Sequence, residues 1–107
     1  MNINSIVEQY MNDGYAVIPG VFSESEVRVM SDESNRLWNN QKELSARNLR
    51  VGIRTNTDGK QTLERLDPVS DISTFFDEIN RHKQLCELAQ AILGTQVVVL
   101  KDKLIYK

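Results

Sequence analysis

The chain has 107 residues, enough for one domain and too few for two. Hydrophobic residues are 40% of it and charged residues 26%, an ordinary globular balance. Thirteen Lys and Arg against fifteen Asp and Glu leave a formal charge of −2, so there is no general basic field and nucleic acid is not the expected partner. The longest apolar run, residues 97–100, is far below the ~20 residues of a membrane helix, and no membrane association is expected. The amino terminus lacks a basic region followed by an apolar stretch, so no signal peptide is read there. With the single cysteine, Cys86, this suggests a reducing, cytoplasmic setting. The single histidine, His82, excludes any metal site or dyad that needs two histidines from one copy.

Along the chain, helix and strand signals alternate. Ile6, Val7, Tyr10 and Met11 have helical spacing, Ser5 and Glu8 stand as a capping box would, and Asp13-Gly14 ends the helix. Residues 15–18, Tyr-Ala-Val-Ile, predict a short strand closed by Pro19-Gly20. Ser23 and Glu26 form a second capping box, flanked by Phe22 and Val27 as a hydrophobic staple. Val27, Met30, Ser34, Leu37 and Trp38 then carry a helix to about Lys42, with Arg28, Asp32, Glu33 and Arg36 on its solvated face.

Leu49, Val51 and Ile53 alternate with Arg50, Gly52 and Arg54, a half-buried strand, and Asp58-Gly59 is a hairpin turn. Leu63 and Leu66 break the alternation expected of the returning strand, which Pro68 closes. Ile72, Phe75, Phe76 and Ile79 predict one helix. Leu85, Leu88, Ala89, Ile92 and Leu93 predict another, stopped by Gly94, with Asn80 as a candidate N-cap between the two. Residues 96–107, QVVVLKDKLIYK, have strand composition over twelve positions, longer than the usual five or six. A strand of that length wants partners the preceding short strands do not supply, so residues 1–107 are expected to form a single incomplete domain.

The order DGYAVIPGVFSESEV, capped helix, hairpin, two-part helix ending AILGTQVVVL and then LKDKLIYK resembles the amino-terminal part of the phytanoyl-CoA dioxygenase family. The resemblance implies an α+β chain contributing the amino-terminal helices and first strands of a double-stranded β-helix, a jelly-roll or cupin-like fold. It also implies an oxygenase that uses Fe(II), 2-oxoglutarate and oxygen to hydroxylate a small organic substrate. The family holds its iron on a His-x-Asp pair plus a distant His, a face that leaves positions open for cosubstrate and oxygen. No His-x-Asp or His-x-Glu triplet occurs here, and His82 is followed by Lys83 and Gln84. No catalytic and no metal-ligating residue is therefore expected in this chain, which should be inactive alone and need no cofactor of its own.

By position in the resemblance, Arg65 and Lys103 match residues that contact 2-oxoglutarate; the alternative is that both are solvated charges. Lys101 and Lys103 share one face of a regular strand and Asp102 the other. His82 reads as a surface or capping residue, Cys86 as a small apolar core residue and Trp38 as packing. Asp13, Asp58 and Asp67 read as turn residues. Lys101, Lys103 and Lys107 keep an edge strand from pairing indiscriminately, or meet a phosphate. Two other readings stay open: a free-standing α/β interaction module that associates, with itself or a partner, through its last strand, and a non-functional truncated remnant.

Overall fold

A computed structural model describes residues 2–47 and 50–107. The chain order is helix α1 (Ile3–Asp13), α2 (Glu24–Asn39), α3 (Gln41–Arg47), strands β1 (Val51–Thr55) and β2 (Gln61–Leu66), a 3-10 turn (Val69–Asp71), α4 (Thr74–Ile79), α5 (Lys83–Leu93) and β3 (Leu104–Ile105). Among the described residues the strands make one antiparallel sheet in the order β1-β2-β3, with β1 and β3 at its edges.

The caps explain where the helices begin and end. Ser23 accepts from the backbone N–H of Glu26, whose carboxylate accepts in return from the Ser23 N–H, closing the expected capping box. Gly14 and Gly94 end α1 and α5 with φ of 80° and 74°, a conformation open to residues without a Cβ. The Ser5–Glu8 box does not form. α1 starts earlier, and Asn2 caps it by accepting from the Ser5 N–H at 3.1 Å. α2 stops at Asn39 rather than Lys42, and α3 starts two residues on.

Residues 15–18 are not a strand. Ala16 and Ile18 are half-buried and Tyr15 and Val17 exposed, so the alternation is real, but no ladder pairs it among the described residues. Asn80 does not cap α5. It lies at the carboxyl end of α4, and the cap of α5 is His82. The long last strand is mostly unpaired: only Leu104 and Ile105 join the ladder, opposite Leu66 and Arg65. Leu49, expected to open the first strand, lies outside the described residues.

The hairpin forms as Asp58-Gly59 predicts, with Gly59 at φ 84° and Asp58 accepting from the Lys60 N–H at 2.9 Å. The register accounts for the odd spacing of Leu63 and Leu66. Gly52 faces Arg65 but Ile53 faces Leu63, so β2 spends two residues, Glu64 and Arg65, where β1 spends one. This bulge switches parity and returns both leucines to the same side.

That side is the core. Leu63 and Leu66 are fully buried with Leu37 of α2 and Val69 of the 3-10 turn, and Val51, Ile72, Phe76, Leu104 and Tyr106 pack around them. Gln41 at the start of α3 accepts from the Leu63 N–H at 2.9 Å and ties the helix to the sheet. Glu33, expected in solvent, is half-buried instead: it accepts from the buried Ser73 hydroxyl and from Arg36, so α2 and α4 are bridged through one carboxylate.

Candidate functional site

The sheet has two faces of opposite character. Val51, Leu66 and Leu104 point into the core, so their neighbours Gly52, Arg65 and Ile105 point the other way. On this outer face Arg65 and Ile105 are direct partners, and Ile105 is 53% exposed. Lys103 stands one pleat before Ile105, 3.8 Å from Asp67, and Lys101 reaches the same Asp67 oxygen at 3.7 Å. Sequence reasoning treated Asp67 as a turn residue; it is also the carboxylate between two ammonium groups.

Arg65 lies flat across β1. A Cβ on Gly52 would come within 2.6 Å of Arg65 Cγ and 2.9 Å of a guanidinium nitrogen, so glycine there is what lets the side chain cross the strand. The guanidinium holds Glu64 at 3.2 Å with both side chains well exposed. Pairs of this exposure contribute about 0–1 kcal/mol. Arg65 thus has a weakly held surface carboxylate beside its cationic head, while Lys103 shares the half-buried Asp67 with Lys101. The register sets Arg65 opposite Ile105, and Lys103, two residues before Ile105 and just outside the ladder, reaches Asp67 just past the end of β2.

Asp102 points the other way and was not singled out from the sequence. Its carboxylate accepts from the Ser70 N–H at 3.1 Å, from the Ser70 hydroxyl at 2.6 Å and from the Asn80 amide at 2.9 Å. Desolvation pushes its pKa up, but the hydrogen bonds from Ser70 and Asn80 outweigh it and hold the group below its ordinary value. Asp102 pins the segment before β3 to the 3-10 turn and α4, and with it the stretch that carries Lys101 and Lys103. The alternation of Lys101, Asp102 and Lys103 was the signal for its direction; Ser70 and Asn80 carry no sequence mark as its partners.

His82 is fully occupied. Its Nδ1 accepts from the Leu85 N–H at 3.4 Å, which puts the proton on Nε2, 3.2 Å from Glu26 Oε2, and its ring lies 4.7 Å from that of Phe22. The Glu26 carboxyl is held below its usual value mainly by the Ser23 backbone N–H. Cys86 is half-buried, with its Sγ 3.6 Å from the Asn80 carbonyl. Trp38 packs its ring 5.1 Å from Tyr106, whose hydroxyl donates to the Ser34 carbonyl at 2.7 Å. Among the described residues no three His, Cys, Asp or Glu side chains are grouped to hold a metal ion.

The family model for phytanoyl-CoA dioxygenase matches residues 10–107. The chain belongs to the phytanoyl-CoA dioxygenase family. That membership points to dioxygenase chemistry and to the iron and 2-oxoglutarate on which the family generally depends. The resemblance drawn from the helix caps, hairpin and LKDKLIYK tail therefore holds over nearly the whole chain. No curated protein and no solved structure matches it. The two cations Arg65 and Lys103 each stand beside a carboxylate, Glu64 and Asp67, and the one histidine, engaged with Leu85 and Glu26, is not set to hold iron. No helix is long and apolar enough to cross a membrane among the described residues.

Proposed function

We propose that these 107 residues supply the amino-terminal helices and first strands of an Fe(II)/2-oxoglutarate-dependent oxygenase domain, built as a double-stranded β-helix, that hydroxylates a small organic substrate. The observation that carries this reading is the family match over residues 10–107. The bare outer face of the sheet supports it: among the described residues one face of the three strands is packed by helices, and the other presents Arg65, Lys103 and a half-exposed Ile105. A second sheet closing over that face would enclose the two cations. In such a pocket the Arg65 guanidinium holds a carboxylate through paired N–H donors and Lys103 adds a point charge. Asp67 and Glu64 occupy these cations until the ligand carboxylate replaces them.

The iron ligands belong to residues outside this set. The one histidine caps α5 with one nitrogen and faces Glu26 with the other, so binding a metal there would uncap a helix. By itself the chain is expected to be inactive. Anaerobic titration with Fe(II) and 2-oxoglutarate tests both halves of the reading. The 107-residue chain should give no visible charge-transfer band; a band would show a metal site within it. In the protein that carries the metal ligands, Arg65→Ala should raise the KM for 2-oxoglutarate by about tenfold or more, as loss of a charge-assisted contact does. An unchanged KM would return Arg65 to the surface.

A further inference from the structure

The outer face of the sheet continues past Arg65 toward the hairpin tip. Along β1, Ile53 faces the buried Leu63, so Gly52 and Arg54 on either side of it point away from the core. Beyond them the Asn56 N–H donates to the Lys60 carbonyl at 2.8 Å, and this pairing returns Lys60 to the side of Arg54. The register sets Arg54 opposite Thr62, which makes Lys60 its diagonal neighbour. Diagonal neighbours stand about 7–8 Å apart, so two long side chains there can meet on one ligand. Arg54 and Lys60 are both exposed, and neither head has a hydrogen bond or ion pair among the described residues. Asp58, the one acid in the turn, accepts from the Lys60 backbone N–H at 2.9 Å.

These two cations stand next to Arg65, whose side chain lies over Gly52. At ~3.3 Å per residue, Arg54 is about 7 Å farther along that strand face, and the Asn56–Lys60 pair about 13 Å. Arg54, Lys60 and Arg65 thus share one face of a hairpin, and among the described residues Glu64 is the only carboxylate paired with any of them. The chain as a whole is acidic, with a formal charge of −2, so three cations gathered on one face are not its background. Their fields add there and attract an anion. We infer that Arg54 and Lys60 form a second anion site, which holds a phosphate or carboxylate group of the substrate while Arg65 holds the cosubstrate. The Arg54 guanidinium meets two oxygens of that group through paired N–H donors, and the Lys60 ammonium adds a point charge. The substrate is then a small organic anion whose charged end lies about 7–13 Å from the Arg65 crossing. Assigning the anion to a substrate rests on the oxygenase reading, whereas the site itself does not.

Inorganic phosphate is the probe, titrated into the isotope-labelled 107-residue chain at constant ionic strength and followed by amide NMR, with acetate in a second series. Signals of residues 54–62 and the Arg54 side-chain N–H should shift saturably with at least one of the two anions. Tighter phosphate binding assigns a phosphorylated substrate, and tighter acetate binding a carboxylate. Arg54→Gln and Lys60→Gln should each weaken the binding about threefold to fivefold, the worth of one exposed ion pair, with near-UV circular dichroism unchanged. Arg65→Ala should change it by less than about twofold, since its charge is screened at that distance. Shifts that stay linear and spread over lysines and arginines generally mean an adventitious ion only and overturn the proposal. Saturable binding that Arg65→Ala abolishes, or that neither Arg54→Gln nor Lys60→Gln weakens, overturns it as well. The cosubstrate test reads iron and 2-oxoglutarate instead, so failure of the oxygenase reading there would leave the phosphate result standing, and the converse holds.

Discussion

Asp102 gathers three donors on one carboxylate, and Glu33 gathers the Arg36 fork and the Ser73 hydroxyl on another. Both are held below their ordinary values: for Asp102 desolvation is the largest single influence and raises it, but the hydrogen bonds from Ser70 and Asn80 together outweigh it, and for Glu33 the Arg36 hydrogen bond leads. A carboxyl with a depressed folded-state pKa contributes stability that is present above its unfolded value and lost as pH falls through the folded one. The ordinary values are 3.8 for Asp102 and 4.5 for Glu33, so the chain should keep its stability down to that range and lose it below. Asp102→Asn removes one of the two contributions and sets an amide donor against the Asn80 amide. Loss of hydrogen bonds to a charged group should cost about 2 kcal/mol near neutral pH. Thermal melts of wild type and variant at a series of pH values check this: the gap should narrow as pH drops below 3.8. A gap constant with pH would mean that Asp102 acts by shape and not by charge.

At the scale of elements, helix starts rest on local rules and strands on distant ones. The Ser23–Glu26 box satisfies two otherwise orphaned N–H groups within four residues, and α2 begins where the sequence predicts. Ser23→Ala should therefore cost about 1 kcal/mol in chemical denaturation, with the near-UV signal intact. Residues 15–18 and 96–103 have β composition yet no ladder among the described residues, because a strand exists only where a partner pairs with it, and composition does not say whether one is there. The broken alternation of Leu63 and Leu66 was readable as an anomaly. Only the register with β1 turns it into a bulge at Glu64 and Arg65. The candidate site follows the same division: Arg65 and Lys103 were reachable through resemblance, because their positions lie in recognisable motifs. Asp67, Asp102 and the crossing of Gly52 by Arg65 were not, since each depends on contacts between elements far apart in the chain.

The whole molecule is too open for its length. Its radius of gyration is 16.7 Å and its extents are 49 × 27 × 25 Å, whereas a compact chain of this length is about 13 Å in radius. Its accessible surface is 7959 Å², against about 6100 Å² for a compact monomer of the same mass. Part of the excess lies on one sheet face without a covering layer and at Val98 and Leu100, the most exposed of its large apolar side chains, with more at Met11, Val17 and Leu93. Opposite it, Leu37, Leu63, Leu66 and Val69 form a tight cluster, and Trp38 meets Tyr106 ring to ring. A fixed core beside an uncovered apolar edge differs physically from a molten globule, which loses its fixed packing everywhere. The two are separable by measurement. The native chain at neutral pH should bind an anilinonaphthalene dye through residues 98–100 and still show near-UV circular dichroism from the Trp38–Tyr106 contact. Charged replacements at Val98 and Leu100 should abolish dye binding and leave the near-UV signal unchanged, because neither side chain belongs to the core. Were the near-UV signal absent in the wild type, the cluster around Leu66 would not hold one packing, and the chain would need a covering partner to fold at all.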